Sequence, residues 1–312
     1  MKRLQNKIAE SKFALPLTLV YAVLVWVAGG LPDNRMVWVP FGCMILSTYL
    51  MMELNNINVL IRIFSRMVSC SFLVLTAMSA MVFNDIQGGI VQLCMISFYM
   101  AFFQTYQDKT SPGWVFYAFF CLGLASLMFI QIVFFVPFLW IMLWRNMMAL
   151  SWRNFWASII GLIAPYWFVG AYCVISHQTD LFIGHFLSVA KFQPLFVYEH
   201  IDEHLIVTLV FILLLGITGS IHFLRNSFFD KIRTRLIYYV FMTMLFLSVI
   251  FIVLQPMHAQ VLLRIMTISS SILIAHFIAL TRTRLTNIAV ILFMILALII
   301  TVYNLWIPSL LF

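Results

Sequence analysis

Two aspartates in short polar turns could do acid–base chemistry. Asp33 lies in the turn Pro32-Asp33-Asn34-Arg35, and Asp85 lies in the turn Asn84-Asp85-Ile86-Gln87-Gly88-Gly89. Each turn follows an apolar segment, so each carboxylate would stand at a membrane surface, where it could act as a base or hold a divalent cation. The alternative interpretation is turn chemistry, because Pro, Asp and Asn are favoured in turns for local reasons. In a helical bundle the two carboxylates could meet.

Four basic side chains could bind a phosphate near these aspartates: Arg35, Lys191, His258 and Arg264. Arg264 lies about three residues inside the apolar segment 261–280, where a charge is costly and usually faces a partner, a cavity or a lipid headgroup. The alternative for Arg264 is snorkelling to the membrane interface. A cluster of such donors is the arrangement that recognises a phosphate.

The segment 177–204 is the most polar stretch of the chain, with four of the seven histidines and four of the ten acids. His200 and His204 are four residues apart, a spacing that zinc sites use. We favour the alternative, a solvated start of the next helix with Asp202 and Glu203 near its N-terminus. The two histidines therefore remain weak metal candidates, and no metal ligand is assigned.

The elements that must position these residues are membrane helices. The chain is 64% hydrophobic and 9% charged, whereas soluble domains carry about 25% charged residues. Apolar stretches of about 17 residues or more recur along its length, and in a bilayer such stretches must be helical. The net charge of +8 does not indicate nucleic-acid binding, because the basic residues are dispersed at the ends of spans. The five cysteines lie in apolar segments without metal-ligand spacing.

These patterns predict an all-α integral membrane protein, a single polytopic domain over 1–312, with about 11 transmembrane helices and a range of 9–12. The predicted spans are 13–31, 36–52, 64–83, 90–106, 114–128, 130–144, 155–176, 205–224, 236–254, 261–280 and 285–305. The basic N-terminus, 1–12, precedes them, and 177–204 forms the largest outer loop.

The apolar run 114–144 is longer than the roughly 20 residues of one span, so it is either a very tilted helix or two short ones. We predict two, a short helical hairpin that turns near Ser126 to Gln131. With the N-terminus in the cytoplasm, this hairpin places all of the 18 Lys and Arg residues inside except Arg35, Lys191 and Arg264. Such a bias is what the positive-inside rule expects. If the run 114–144 crossed the membrane only once, every later cluster of basic residues would lie on the opposite side of the membrane. We therefore predict an inner-membrane protein with its C-terminus outside.

The outer loop should contain a surface helix. Over 181–198, apolar residues at Phe182, Phe186, Val189 and Phe192 fall on one helical face until Pro194 interrupts the helix. Such an amphipathic segment could lie on the outer membrane surface and cover a cavity between spans.

Three motifs carry a resemblance to a known class. They are Gly123-Leu-Ala-Ser-Leu127, Ile132-Val-Phe-Phe-Val-Pro-Phe-Leu-Trp-Ile-Met-Leu-Trp-Arg145 and Gly161-Leu-Ile-Ala-Pro165. Together they resemble the central region of GT-C-type membrane glycosyltransferases, over roughly 10–170. The chain also resembles a family of uncharacterised bacterial polytopic proteins of this size. The GT-C resemblance implies an outer-face enzyme that uses a lipid-phosphate-linked sugar, with Asp33 as the matching catalytic acid of the first loop and Asp85 as the second-loop acid.

The leading hypothesis is an inner-membrane enzyme of cell-envelope glycan assembly that uses a polyprenyl-phosphate-linked sugar. Asp33 would be the general base, Asp85 would assist or hold a divalent cation, and the basic residues would neutralise the donor phosphate. The partners would be membrane lipids and the lipid-linked sugar. The alternative is a non-catalytic membrane protein, either a subunit of an envelope complex or a lipid or solute transporter, which should show broken helices near the bilayer midplane.

Overall fold

The computed structural model describes residues 4–32, 35–190 and 202–306, and these residues form helices and their connections without a strand. Of the predicted site residues, Asp33, Lys191 and His200 lie outside the described residues, as does 191–198 of the predicted surface segment. The all-helical class expected from composition is therefore what the described chain adopts.

Thirteen α-helices are present in the described residues. The first seven are α1 Leu4–Glu10, α2 Ala14–Ala28, α3 Trp38–Asn58, α4 Met67–Met78, α5 Ile86–Phe102, α6 Pro112–Met128 and α7 Val136–Arg145. The remaining six are α8 Trp152–Ile175, α9 Thr179–Leu187, α10 Glu203–Asn226, α11 Ile232–Leu254, α12 Ala259–Leu280 and α13 Arg284–Trp306. Short 3₁₀ turns join several of them, the longest at Ile130–Phe135.

Within the described residues, seven helices are long and apolar enough to cross a membrane, and the pair α1 and α2, bent by 90°, would add an eighth. The predicted count of about 11 spans is therefore not confirmed by helix length, because three of the predicted spans are shorter apolar helices: Met67–Met78, Pro112–Met128 and Ile130–Arg145. A helix of 12 residues rises only about 18 Å, less than the roughly 30 Å of a bilayer core.

Most of the basic connectors meet at one end of the bundle, which we call the basic end. There Arg233 Nη2 donates to Asn58 Oδ1 at 3.0 Å and to the Phe103 carbonyl at 3.1 Å. Asn146 Nδ2 donates to the Leu236 carbonyl at 3.1 Å. Gln5 Nε2, from the helix before the first apolar segment, donates to the Ile278 carbonyl at 2.7 Å. Four separate connectors are thereby held together.

The predicted hairpin is visible in the chain path. Helix α6 ends at Met128, and the chain returns through the 3₁₀ turn and α7. Its two flanks then meet, since Gln107 N donates to the Met147 carbonyl at 2.8 Å and Ser151 Oγ donates to the Lys109 carbonyl at 2.9 Å. The segment between them therefore leaves the basic end and comes back to it.

Helix α12 is the centre of the bundle, with 83% of its most apolar stretch buried inside the protein. It packs against α4, α5, α10 and α11. Gly219 of α10 lets that helix touch α12 directly, because a Cβ there would lie 2.5 Å from the Leu273 carbonyl oxygen. Buried polar residues on α12 are thus enclosed by other helices.

Candidate functional site

The end opposite the basic end holds the turns that contain the predicted aspartates. Trp26 of α2 stacks on Phe83, with ring centroids 3.8 Å apart. Leu31 and Val37, on either side of the first turn, are buried in the same apolar cluster as Phe83. Asp33 itself lies outside the described residues, but it follows Leu31 by two positions. Asp85 follows Phe83 by two positions, so the described residues that flank the two turns share one apolar cluster.

Asp85 has a structural task at the start of α5. Its backbone is extended, and its Oδ1 accepts a hydrogen bond from Gly88 N at 2.9 Å. This is the N-cap arrangement, in which a side-chain oxygen satisfies one of the free amides of the first helical turn. The second turn is therefore fixed to the helix that follows it.

Arg264 of α12 is the ionic partner of Asp85. Its Nε lies 3.6 Å from Asp85 Oδ2, and the two side chains are 4% and 20% exposed. Its Nη2 donates to the Asp85 carbonyl at 3.2 Å and also to the Val82 carbonyl, while Nη1 contacts Gln92 Oε1 at 3.4 Å. The guanidinium is thus directed into the bundle, so the snorkelling alternative is wrong.

Gly88 makes the approach of Asp85 and Arg264 possible. A Cβ on Gly88 would overlap Asp85 Oδ2 and lie 2.9 Å from both Cδ and Nε of Arg264. Contacts of that kind require a neighbouring group to move. Gly88, which appeared in the sequence only as part of a polar turn, therefore leaves the room that this ion pair needs.

The predicted phosphate ligands are only partly brought together. Arg264 would have to leave Asp85 before it could contact a phosphate, so its role as a phosphate ligand stays a prediction that requires a rearrangement. Arg35 is exposed at the first turn. His258 is half-buried and packs between the rings of Phe129, 5.2 Å away, and Phe251, 6.1 Å away.

His204 is engaged with the last helix. Its Nδ1 lies 3.2 Å from Asn304 Oδ1, and its ring is 4.3 Å from that of Tyr303. Asn304 in turn donates to the Met78 carbonyl at 2.8 Å and to Thr208 Oγ1 at 3.0 Å. No group of three His, Cys, Asp or Glu side chains that could hold a metal ion occurs among the described residues. His204 therefore joins α10 to α13, and Asn304 extends the contact to α4.

The predicted surface helix begins at Thr179, as α9, and its apolar face packs on α8. The rings of Phe182 and Phe186 are 5.0 Å apart, and Tyr166 of α8 lies 5.1 Å from Phe186. A cleft of about 490 Å³ opens between the two helices, with Gly170 and Trp167 in its wall. The cleft is lined mainly by apolar side chains, which suit a hydrocarbon chain better than a sugar.

A second polar cluster, at the basic end, was missed by sequence reasoning. His276 of α12 contacts Asp230 of the connector between α10 and α11, and it also contacts His222 of α10. From the sequence, His222 and His276 are expected to be interface or packing residues. The available signal was the recurrence of two histidines and an aspartate near the same ends of neighbouring spans.

No protein-family model, curated protein or solved structure matches this chain. The fold therefore defines only a class, an all-helical protein whose long apolar helices are of the membrane-spanning kind. Any finer assignment depends on the residues of the two polar clusters.

Proposed function

We propose that the protein is a multi-pass inner-membrane protein whose eleven apolar segments all cross the membrane, with the basic end in the cytoplasm. The grouping of the basic connectors at one end supports this, since positive residues favour the cytoplasmic side. The returning path of α6 and α7 supports a hairpin with both flanks in the cytoplasm. The three short helices would cross where neighbouring helices enclose them.

We further propose that the opposite end carries an enzyme site of the GT-C glycosyltransferase type, acting on a polyprenyl-phosphate-linked sugar. One observation carries this proposal: the flanks of the Asp33 turn and the Asp85 turn share one apolar cluster, directly beside the buried Arg264. A first-loop acid held beside a second-loop acid is the arrangement that such an enzyme would need.

In the proposed reaction, Asp33 accepts the proton of an acceptor hydroxyl as that oxygen attacks the anomeric carbon of the donor. A new glycosidic bond forms, and the bond from the anomeric carbon to the phosphate oxygen breaks. The polyprenyl phosphate leaves with the bonding electrons. Arg35, Lys191 and His258 would neutralise the leaving phosphate, because the charge on its oxygen increases as the bond breaks.

Asp85 and Arg264 take a positioning role in this proposal. Arg264 ties the carbonyls of Val82 and Asp85 to the central helix, which fixes the second turn in place. Asp85 balances the buried charge of Arg264. The pair therefore supports the catalytic turn without contacting the substrate.

The test is an Asp33→Asn variant expressed in cells that lack the native copy. We expect the envelope glycan to be lost while its polyprenyl-linked donor accumulates, since only the transfer step fails. Mass spectrometry of extracted lipids and a glycan profile measure both quantities. The matched control is Asp180→Asn, which removes an exposed acid of α9 at the same end.

Normal glycan at normal levels of the Asp33→Asn protein would overturn the enzyme proposal. A loss of glycan without accumulation of the donor would instead favour the competing class, a non-catalytic subunit of an envelope complex. A transporter would accumulate the donor on the cytoplasmic side only, which surface labelling of the lipid-linked sugar distinguishes.

A further inference from the structure

Three titratable side chains form a chain of contacts at the basic end. His276 Nε2 lies 3.1 Å from Asp230 Oδ2, and His276 Nδ1 lies 3.4 Å from His222 Nδ1. His276 is fully buried and the Asp230 side chain is 2% exposed, whereas His222 is half-buried. The chain thus runs from a partly accessible imidazole to an enclosed carboxylate.

The described contacts around these three side chains include the cation Arg62 and the phenol Tyr238. Arg62 Nε lies 3.8 Å from Asp230 Oδ1, the carboxylate oxygen that His276 does not use. Arg62 also lies over the ring of Phe229, 5.1 Å from its centroid. Tyr238 packs its ring 5.1 Å from that of His276 and directs its hydroxyl to the Leu60 carbonyl at 3.4 Å. Asp230 therefore faces Arg62 on one side and His276 on the other.

The geometry dictates where the ring protons must lie. A neutral imidazole has one N–H donor and one acceptor nitrogen. Because a carboxylate only accepts, His276 must donate from Nε2 to Asp230, and its Nδ1 is then an acceptor. The facing Nδ1 of His222 must consequently carry its proton. His222 is thereby held in the Nδ1–H form, with its Nε2 free to accept a proton.

We propose that His222, His276 and Asp230 form a proton relay, a binding site for H⁺ at the basic end of the bundle. A proton from water binds His222 Nε2, and the Nδ1 proton of His222 passes to His276 Nδ1. The products are a neutral His222 in its Nε2–H form and a His276 imidazolium beside the Asp230 carboxylate. One proton is taken up and no other group changes its charge.

The relay gives the bundle a site where proton binding changes an ion pair. The His276 imidazolium is a second cation beside Asp230 and repels Arg62, so proton uptake weakens the contact of Arg62 with the turn between α10 and α11. Chains of His and acid residues inside membrane proteins commonly serve proton transfer. This inference is independent of the proposed sugar transfer, which takes place at the opposite end.

The test is ¹⁵N spectroscopy of ring-labelled histidines in the full-length protein in lipid nanodiscs. At neutral pH we expect the Nδ1–H form at His222 and the Nε2–H form at His276, assigned with His222→Gln and His276→Gln. On acidification, His276 should become doubly protonated while His222 stays neutral. If both rings carry the Nε2–H form, or if His222 becomes the cation, the relay is refuted.

Asp230→Asn provides a second, directional test. Arg62 should keep the amide oxygen on its own side, so the amide nitrogen would donate to His276 Nε2. Both tautomers should then reverse, to Nδ1–H at His276 and Nε2–H at His222. Asp108→Asn, a partly exposed acid at the same end, is the control and should leave both unchanged. Unchanged tautomers in a folded Asp230→Asn protein would also refute the relay, and the wild-type spectrum decides where this variant does not fold.

Discussion

Arg264 shows how a single charge can be kept inside an apolar bundle. A buried guanidinium is tolerated only when ionic and hydrogen-bond partners surround it. Here Asp85 supplies the opposite charge, and the Val82 carbonyl accepts a further hydrogen bond. The same carboxylate caps α5 through Gly88 N. One aspartate therefore holds both the second turn and the central helix, which makes it a strongly constrained residue.

Removing the Arg264 guanidinium should show how much its ion pair with Asp85 contributes to stability. We expect Arg264→Met to lower the free energy of unfolding by about 3 kcal/mol, since one charge of a buried pair is left without its partner. Unfolding in mixed detergent micelles measures the change. The control Arg35→Met removes an exposed charge and should change stability by less than about 0.5 kcal/mol.

The double variant Arg264→Met with Asp85→Asn separates the ion pair from simple packing. It removes both charges and keeps a capping side chain, so it should be more stable than Arg264→Met alone. A double variant that loses the sum of the two single effects would show that the two residues act independently, contrary to this account.

At the scale of elements, glycines set the closest helix crossings. A Cβ on Gly161 of α8 would lie 2.5 Å from the Phe116 carbonyl oxygen, and one on Gly123 of α6 would lie 2.6 Å from the Leu162 carbonyl oxygen. In membranes, small residues at such crossings let backbones approach and gain packing energy. The α6 and α8 pair is joined further by Tyr166, whose hydroxyl donates to Ser126 Oγ at 2.8 Å.

Gly219 offers the sharpest test of these crossings. Gly219→Ala should push α10 away from α12 and destabilise the protein by about 1–3 kcal/mol, the usual cost of overpacking. It should also lengthen the contact between His222 and His276, which lie one turn further along. Gly42→Ala is the matched control, because a Cβ on Gly42 meets no atom within 4 Å. Equal stability of the two variants would contradict the crossing geometry.

Local sequence patterns predicted the helices better than they predicted which helices contact each other. The length of the apolar run 114–144, together with the charges that flank it, indicated a hairpin, and α6 ends at Met128 within the predicted turn. Helix α9 could likewise be expected from its spaced phenylalanines. The partner of Arg264 could not, because Asp85 lies 179 residues away in the chain and periodicity gives no information about which helices touch.

The shorter helices show why the apolar pattern alone does not give the length of a helix. The hydropathy pattern predicts one apolar run of about 20 residues that includes α4 and the 3₁₀ turn after it. In the structure the helix itself ends at Met78. Because the helix is interrupted at Ser79, the Val82 carbonyl can accept a hydrogen bond from Arg264. A local interruption of this kind depends on a distant side chain, so it carries no signal in the apolar pattern.

The two ends of the central helix α12 carry different polar clusters. Arg264 near one end of α12 is paired with Asp85, and His276 near the other end is paired with Asp230. The two proposed sites therefore lie at opposite ends of one buried helix. The proposed sugar transfer and the proton relay make no shared contact in the described residues, so variants at one end should leave the chemistry of the other intact.

Orientation in the membrane can be tested with single cysteines placed in a variant that lacks the five native ones. Lys109→Cys and Arg153→Cys flank the α6 and α7 hairpin, and we expect both to react with a membrane-impermeant maleimide only after the cells are permeabilised. Asp180→Cys should react in intact cells, because α9 belongs to the opposite end. Labelling of Arg153→Cys but not Lys109→Cys in intact cells would mean that the segment of α6 and α7 crosses the membrane only once. Every later connector would then lie on the opposite side of the membrane from the one proposed.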